Sequence, residues 1–425
     1  MSEQQDSKGF LSGYRVLDLT DEKGLLCGKI LGDLGADVVK IEQPGGDLAR
    51  NLGPFYKDAP DPQKSLFWFF TNLNKRGITL NLETPDGRDI FKRLVKTAHF
   101  VIESNSPGYM ASLGLGYPDL EKVNPAIIMT SITPFGQTGP CAHYKATDIV
   151  LMAMGGLLRG LGDPDRPPVR ISQPQAFFLG SIHGVLGSLM AHYYRQGTGE
   201  GQHVDVSCQE AVVLTLLCFP EYWDILKYNY VREGPSQRMA RPAPLGPLSR
   251  QHVYACKDGF VVGYIAGGAQ AGLVASSRAL TEWANSLGYA QELQDYDWTK
   301  MDFGTVPQAE LNRVQDAMKP FLLSRTKAEI MGKAVEKALV MIPVADARDT
   351  MESPQFKARD FFVPIEHPEL GEAITYPGFP IKMTGMFYKP QRRAPLIGEH
   401  NEEIYVRELG LSREELARLK ANGVI

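Results

Sequence analysis

Cysteine is scarce in this 425-residue chain, and the five copies, Cys27, Cys141, Cys208, Cys218 and Cys256, show neither Cys-x-x-Cys nor Cys/His zinc spacing. That excludes a disulfide framework and a zinc module, and it reads as the reduced, buried thiols of a cytoplasmic protein. No excess of positive charge exists either. A formal net charge of −4 gives no general attraction to nucleic acid or an anionic membrane, so a polyanionic ligand would need a local basic cluster. No apolar run approaches membrane-spanning length. The polar stretch Met1 to Lys8 has no apolar core, so no secretory signal is expected there. Acidic residues are missing altogether between Arg170 and Gly199, a gap that becomes important below.

What is present is an ordinary globular composition, 43% hydrophobic and 22% charged, on a chain long enough for two cored domains. Strand alternates with helix. Tyr14 to Leu19 reads as a strand, Gly24 to Leu34 carries Leu26, Ile30 and Leu34 at helical spacing, and Asp37 to Ile41 is a second strand. A helix from Gly87 to Ala98, with Ile90, Phe91, Leu94 and Val95 on one face, leads into a strand from His99 to Ile102; Ala126 to Ser131 is another. The alternation predicts an α/β fold with an open, mostly parallel sheet. Ligands of such sheets sit beyond the carboxyl ends of the strands, where the loops Thr20 to Lys23, Glu103 to Gly108 and Thr133 to Pro140 would gather.

The pattern breaks after a helix from Cys208 to about Cys218. Val231 to Gln251 holds Pro235, Pro242, Pro244 and Pro247 with Arg232, Arg238, Arg241 and Arg250, and reads as an extended linker. Beyond it come a hairpin from His252 to Ile265, turning at Lys257-Asp258-Gly259, and helices from Ala271 to Leu287 and from Lys327 to Ala338. The expected organisation is a large domain starting at 1–225, a linker at 226–250, a small domain at 251–340, and a return at 341–425. The return is Pro-rich from Pro343 to Pro380 and closes on a helix whose start is marked by Ser412 and Glu415.

Five segments in order then carry a resemblance. They are Leu34 to Glu42, Asn74 to Leu80, Phe135 to Pro140, the framework from Pro167-Pro168-Val169-Arg170 to Gly199-Glu200-Gly201-Gln202-His203-Val204-Asp205-Val206-Ser207, and Ala394 to His400. Together they resemble the family III CoA-transferases, also called the CaiB/BaiF family, over essentially the whole chain. The resemblance implies a Rossmann-like large domain built from both chain ends, a smaller inserted domain and an interlocked dimer. It implies coenzyme A or acyl-CoA as substrate, with no covalently bound cofactor. Leu80, Ser104, Asn105, Tyr109, Phe135, Gly267 and Gly268 fall on positions expected to meet it.

The same resemblance exposes a loss. Family members use an Asp that attacks the acyl-CoA thioester, passes through a mixed anhydride and carries the CoA to the acceptor acid. Registered on Gln202 and His183, that Asp falls on Phe177, and a phenyl ring cannot attack a thioester. No local shift of register finds another carboxylate. Further departures are Glu83 where a Lys facing CoA phosphate is common, Glu103-Ser104-Asn105-Ser106-Pro107-Gly108 where Glu-Asn-Phe-x-Pro-Gly is usual, and Ser112 in place of an Arg. They imply weakened or altered CoA binding unless a partner supplies the charges.

The reading that follows is a subunit without a nucleophile, inactive alone, whose homologous partner subunit keeps the Asp in an interlocked heterodimer or larger assembly. Asp21-Glu22-Lys23-Gly24 and the lost Asp resemble the degenerate subunit of the succinyl-CoA:benzylsuccinate type within this family. That type would move CoA from an acyl-CoA such as succinyl-CoA to a carboxylic acid, an aromatic dicarboxylic acid among the candidates. Two alternatives stay open: an active homodimer using Glu22, Asp148 or Asp205, and an acyl-CoA-binding scaffold without turnover. Several residues also have plain structural readings. His183 sits on a helix of small residues that invites close packing, and Asp148 follows Thr147 as a helix-start residue. Gly267-Gly268 is a closing loop or a simple turn. The linker arginines are solvated charge or reach a neighbour's phosphates.

Overall fold

The computed structural model describes residues 9–239, 241, 244–384 and 391–425. The polar stretch Met1 to Lys8 and the linker's Pro242 lie outside them. Two compact units emerge, one from 1–158, 170–227 and 354–425, the other from 159–169 and 228–353. Residues 341–353 therefore lie with the second unit, as does the short excursion 159–169.

The first unit is built on β1 (Arg15–Leu19), α1 (Leu25–Asp33), β2 (Asp37–Glu42), α2 (Leu66–Thr71), β3 (Lys75–Thr79), α3 (Pro85–Val95), β4 (Phe100–Glu103), α4 (Tyr109–Ser112), α5 (Tyr117–Val123), β5 (Ile128–Thr133), α6 (Asp148–Met154), α7 (Ala176–Thr198) and β6 (Gln202–Ser207). The six strands form one all-parallel sheet in the order β3-β2-β1-β4-β5-β6. That order is the doubly wound Rossmann arrangement, with its switch point between β1 and β4. Helices cover both faces, which is why β4 and β5 are buried at every position and, apart from Glu103 at the end of β4, read as continuous apolar or small-residue runs. One face packs α3 against Leu17, Val39 and Val101 and is completed by Ile404, Tyr405, Leu416 and Leu419 from the C-terminal segment. The large unit is thus made from both ends of the chain.

The other face carries α1 and α7, and glycines set how closely they approach. A Cβ on Gly180 would lie 2.4 Å from Cys208 Sγ, one on Gly184 2.7 Å from Ile132 Cδ1, and one on Gly187 2.6 Å from Val204 Cγ1. This is the small-residue packing expected around His183, whose Nδ1 bonds the Leu179 carbonyl of its own helix at 2.9 Å.

The second unit has its own core around Leu248, Tyr254, Trp298, Phe321 and Met341. Its three-stranded sheet includes the expected hairpin, Val253–Cys256 with Gly259–Gly263. The linker reading needs correction: Ser236–Met239 and Leu248–Gln251 pair as antiparallel strands. The first of these strands is polar and largely exposed, so it carries no apolar alternation to reveal it. The helix starting at Cys208 ends at Val213, and Leu217 stands at φ +54° before a new helix, Phe219–Leu226. The Pro-rich return contains an antiparallel pair, Phe362–His367 with Glu372–Pro377. Among the described residues, no helix is long and apolar enough to cross a membrane.

Candidate functional site

The carboxyl ends of β1 to β4 open onto a cavity of about 630 Å³ in the first unit. β1 contributes Leu19 and the following Asp21 and Glu22, β2 contributes Ile41 and Glu42, and the turn after β2 supplies Asp47, Leu48 and Leu52. Leu80 and Leu82 follow β3, and Asn105 and Tyr109 follow β4. A crevice beyond the strand ends that includes the switch point is where open α/β sheets hold ligands.

A buried polar network holds this rim in place. Asp18, fully buried on β1, accepts from the Thr20 amide at 2.9 Å and the Thr20 hydroxyl at 2.6 Å, which turns the chain sharply out of the sheet. Its other oxygen pairs with the fully buried Lys75 at 2.8 Å, and Lys75 also donates to Asn72 Oδ1 and the Leu25 carbonyl. Only glycine fits opposite, since a Cβ on Gly28 would stand 2.2 Å from Asp18 Oδ2. Lys40 donates to the Thr20 carbonyl and pairs with Asp47 at 3.0 Å. Burial alone would raise the Asp47 carboxyl, but Lys40 and the Ala49 amide outweigh it and its pKa is lowered. Arg50 clamps Glu42 through two bonds of 2.7 and 2.8 Å while its guanidinium lies 3.8 Å from the Trp68 ring centre. The cations near the cavity are therefore committed to structural partners.

Across the switch point, the Ser104 hydroxyl accepts from the Asp21 amide at 2.8 Å and donates to Asp21 Oδ1 at 2.6 Å. Asn105 is tied by its amide to Glu103 Oε2 at 2.7 Å. Glu22 has no ion-pair partner among the described residues, and burial, then Asp21, raises its pKa. Burial, followed by the Glu83 charge, raises the Tyr109 pKa too.

Of the residues singled out by sequence, Leu80, Asn105 and Tyr109 line this one cavity and Ser104 braces its wall. Phe135 is buried after β5, edge-on to Tyr144 with ring centres 6.3 Å apart, and is not part of the lining. Gly267 and Gly268 belong to the second unit, in a tight turn against 298–302. A Cβ on Gly267 would stand 1.8 Å from the Trp298 carbonyl oxygen, and Gly268 adopts φ +73°. Sequence reading passed over Glu42, Asp47 and Leu48, although their place just after β2 is where the strand-end rule points.

Phe177 is the second residue of α7, and its side chain is buried. Its amide donates to Asp148 Oδ1 at 3.2 Å. Asp205, on β6, accepts from the Gln137 amide through both oxygens at 3.0 Å.

A Rossmann order closed by the C-terminal segment is paired here with a family model for CoA-transferase family III that matches residues 11–401. The chain belongs to CoA-transferase family III. Its similarity to the succinyl-CoA:(R)-benzylsuccinate CoA-transferase subunit BbsE of Thauera aromatica is 33% identity, covering 97% of this chain and 98% of that protein. It is 32% identical to the formyl-CoA:oxalate CoA-transferase of Streptomyces avermitilis, covering 98% and 99% of the two chains. The crystal structure of a CaiB/BaiF family protein from Brucella suis superposes with a TM-score of 0.80 at 25% identity, over 94% of this chain and 99% of that one. Family III CoA-transferases work on CoA thioesters and carry no covalent cofactor, so the fold and substrate class expected from the sequence both hold.

Proposed function

We propose that this chain is the nucleophile-lacking subunit of a heteromeric family III CoA-transferase. The observation that carries the reading is Phe177 at the head of α7, where the family register requires a carboxylate, in a stretch from Ile171 to Gly199 without Asp or Glu. Helix heads favour anionic groups, so a buried ring there removes the reacting group and leaves the framework standing. The carboxylates of Asp148, beside Phe177, and of Asp205 on β6 are occupied as acceptors for backbone amides. A homologous partner subunit, interlocked with this one, supplies the Asp.

An exposed apolar stripe supports the partner. Ile182, Leu186 and Met190 recur along one side of α7, with Tyr193 84% exposed beyond them. A monomer does not leave such a face to water without reason. The likeness to a protein named as a transferase subunit agrees with this, and by that likeness the complex takes CoA from succinyl-CoA to a dicarboxylic acid. Leu80, Ser104, Asn105 and Tyr109 then frame the thioester arm in this chain's cavity. Phe135, Gly267 and Gly268 are proposed as further acyl-CoA contacts on the family register alone.

The test is purification of the chain alone and together with a homologous subunit that keeps the Asp, assayed for CoA exchange between succinyl-CoA and dicarboxylic acids. The mixture turns over and the chain alone does not. Exchange at an ordinary enzymatic rate by this chain alone ends the proposal. Glu22 gives the second reading its one favourable observation, a cavity-lining carboxyl with a raised pKa. Hydroxylamine trapping with an acyl-CoA donor, followed by peptide mass spectrometry, decides whether it ever carries an acyl group.

A further inference from the structure

The second unit has a cavity of about 600 Å³, within the size range of small-molecule sites. Arg159, Arg232 and Arg238 line it, against one acid, Glu233. Two parts of the chain bring the arginines there. Arg159 opens the excursion 159–169, and Arg232 draws that excursion in by donating to the carbonyls of Asp163, Arg159 and Arg166 at 3.2, 3.4 and 2.9 Å. Arg238 stands on the strand Ser236–Met239 opposite Ser249 of the paired strand, whose backbone Gln308 clamps through bonds of 2.8 and 2.7 Å.

Carbonyl oxygens satisfy the Arg232 donors without cancelling its charge. None of the three arginines forms an ion pair among the described residues, since Asp163 pairs with Arg166 at 3.9 Å and Glu233 accepts from the backbone amide of Arg238. The side chains of Arg159 and Arg238 make no hydrogen bond among those residues either. Burial raises the Glu233 pKa although the Arg238 charge works against it, so the one acid of the lining does little to offset three cations. Like charges gathered without counter-ions repel one another, and an anion set among them relieves that repulsion.

We infer that this cavity is a binding site for a small molecule with two anionic groups, carboxylate or phosphate, one group held by Arg159 and Arg232 and the other by Arg238 with the Ser249 hydroxyl. Guanidinium forks suit the oxygens of both groups. The site goes beyond the transferase reading and does not depend on it, because it lies in the second unit and needs no reacting carboxylate.

Calorimetry on the purified full chain tests it with glutarate, with pyrophosphate and with the monoanion butyrate. One or both dianions bind about tenfold more tightly than butyrate, and the tighter of the two tells carboxylate from phosphate. Their affinity falls between about 50 and about 300 mM salt as the charges are screened. Arg159→Gln and Arg238→Gln each lower it on the order of tenfold. Both positions are exposed, so the melting temperature without ligand stays where it was. Arg313→Gln removes the same charge from an arginine of this unit that pairs with Glu310 and is not part of the lining, and leaves binding unchanged. No dianion binding, butyrate bound equally well, or dianion affinity that neither cavity variant lowers more than Arg313→Gln does overturns the inference.

Discussion

The backbone amide of Phe177 donates to Asp148 Oδ1 at 3.2 Å, tying the head of α7 to the first turn of α6. This makes Asp148 a cap for a helix it does not belong to. Asp148→Ala should cost about 1 kcal/mol of stability, the usual worth of an N-terminal cap, and Asp148→Asn less. Denaturant unfolding measures both. In the same samples, hydroxylamine after incubation with succinyl-CoA should leave residue 148 unlabelled, and a labelled peptide there would reassign the residue as a nucleophile.

Phe177→Asp returns a carboxylate to the head of α7. It exchanges a buried ring for a polar group and should cost roughly 1–3 kcal/mol. In return, incubation with succinyl-CoA should yield a hydroxylamine-sensitive acyl adduct at position 177. Peptide mass spectrometry reads it, and a folded variant with no adduct would show that the register is wrong.

Lys75 and Asp18 are both completely buried and 2.8 Å apart beneath the cavity. Removing one charge strands the other, so Lys75→Met should cost about 3–5 kcal/mol. Adding Asp18→Asn discharges the stranded group and keeps an acceptor for Thr20, so the double variant should be more stable than Lys75→Met. Urea melts of the four proteins form the cycle, and additive effects would mean the pair is not coupled.

Glu103 is 3% exposed, and burial raises its pKa above the ordinary 4.5 despite bonds from Ser131 and Asn105. In the window between the unfolded and the folded pKa the native state holds more protons than the unfolded chain, so stability falls as pH rises through it. Glu103→Gln removes that slope. The variant should unfold at a higher temperature than the native chain at neutral pH, and the advantage should shrink as pH falls through the raised folded pKa towards 4.5. Calorimetric melts across pH check the sign.

Gly180→Ala places a Cβ 2.4 Å from Cys208 Sγ. Overpacking of this kind costs about 1–3 kcal/mol, and Cys208→Ala in the same chain should recover part of it by removing the obstructing sulfur. Thermal shift on the two single variants and the double variant measures the coupling.

Much of the frame was readable because local pattern and burial agree. A strand such as β5 is buried on both faces and holds only apolar residues and small hydroxyl residues, and α3 shows its inward stripe of Ile90, Phe91, Leu94 and Val95. The polar strand Ser236–Met239 escaped because neither face is buried enough to select apolar residues. At the site, Leu80, Asn105 and Tyr109 were found through short motifs that follow strands. Asp47 and Glu42 were missed because acidic residues in a turn or at a strand end look like solvated charge until Lys40 and Arg50 are seen behind them.

By itself, the order of residues determined the alternation of strand and helix, the family framework and the absence of Asp and Glu from Ile171 to Gly199, since each depends on residue type and spacing along the chain. Only the tertiary structure decided that the rim of the cavity is acidic and that Asp21, Asp47 and Glu42 there pair with Lys23, Lys40 and Arg50. Charge compensation depends on which side chains meet across strands far apart in sequence, and that distance is set by packing.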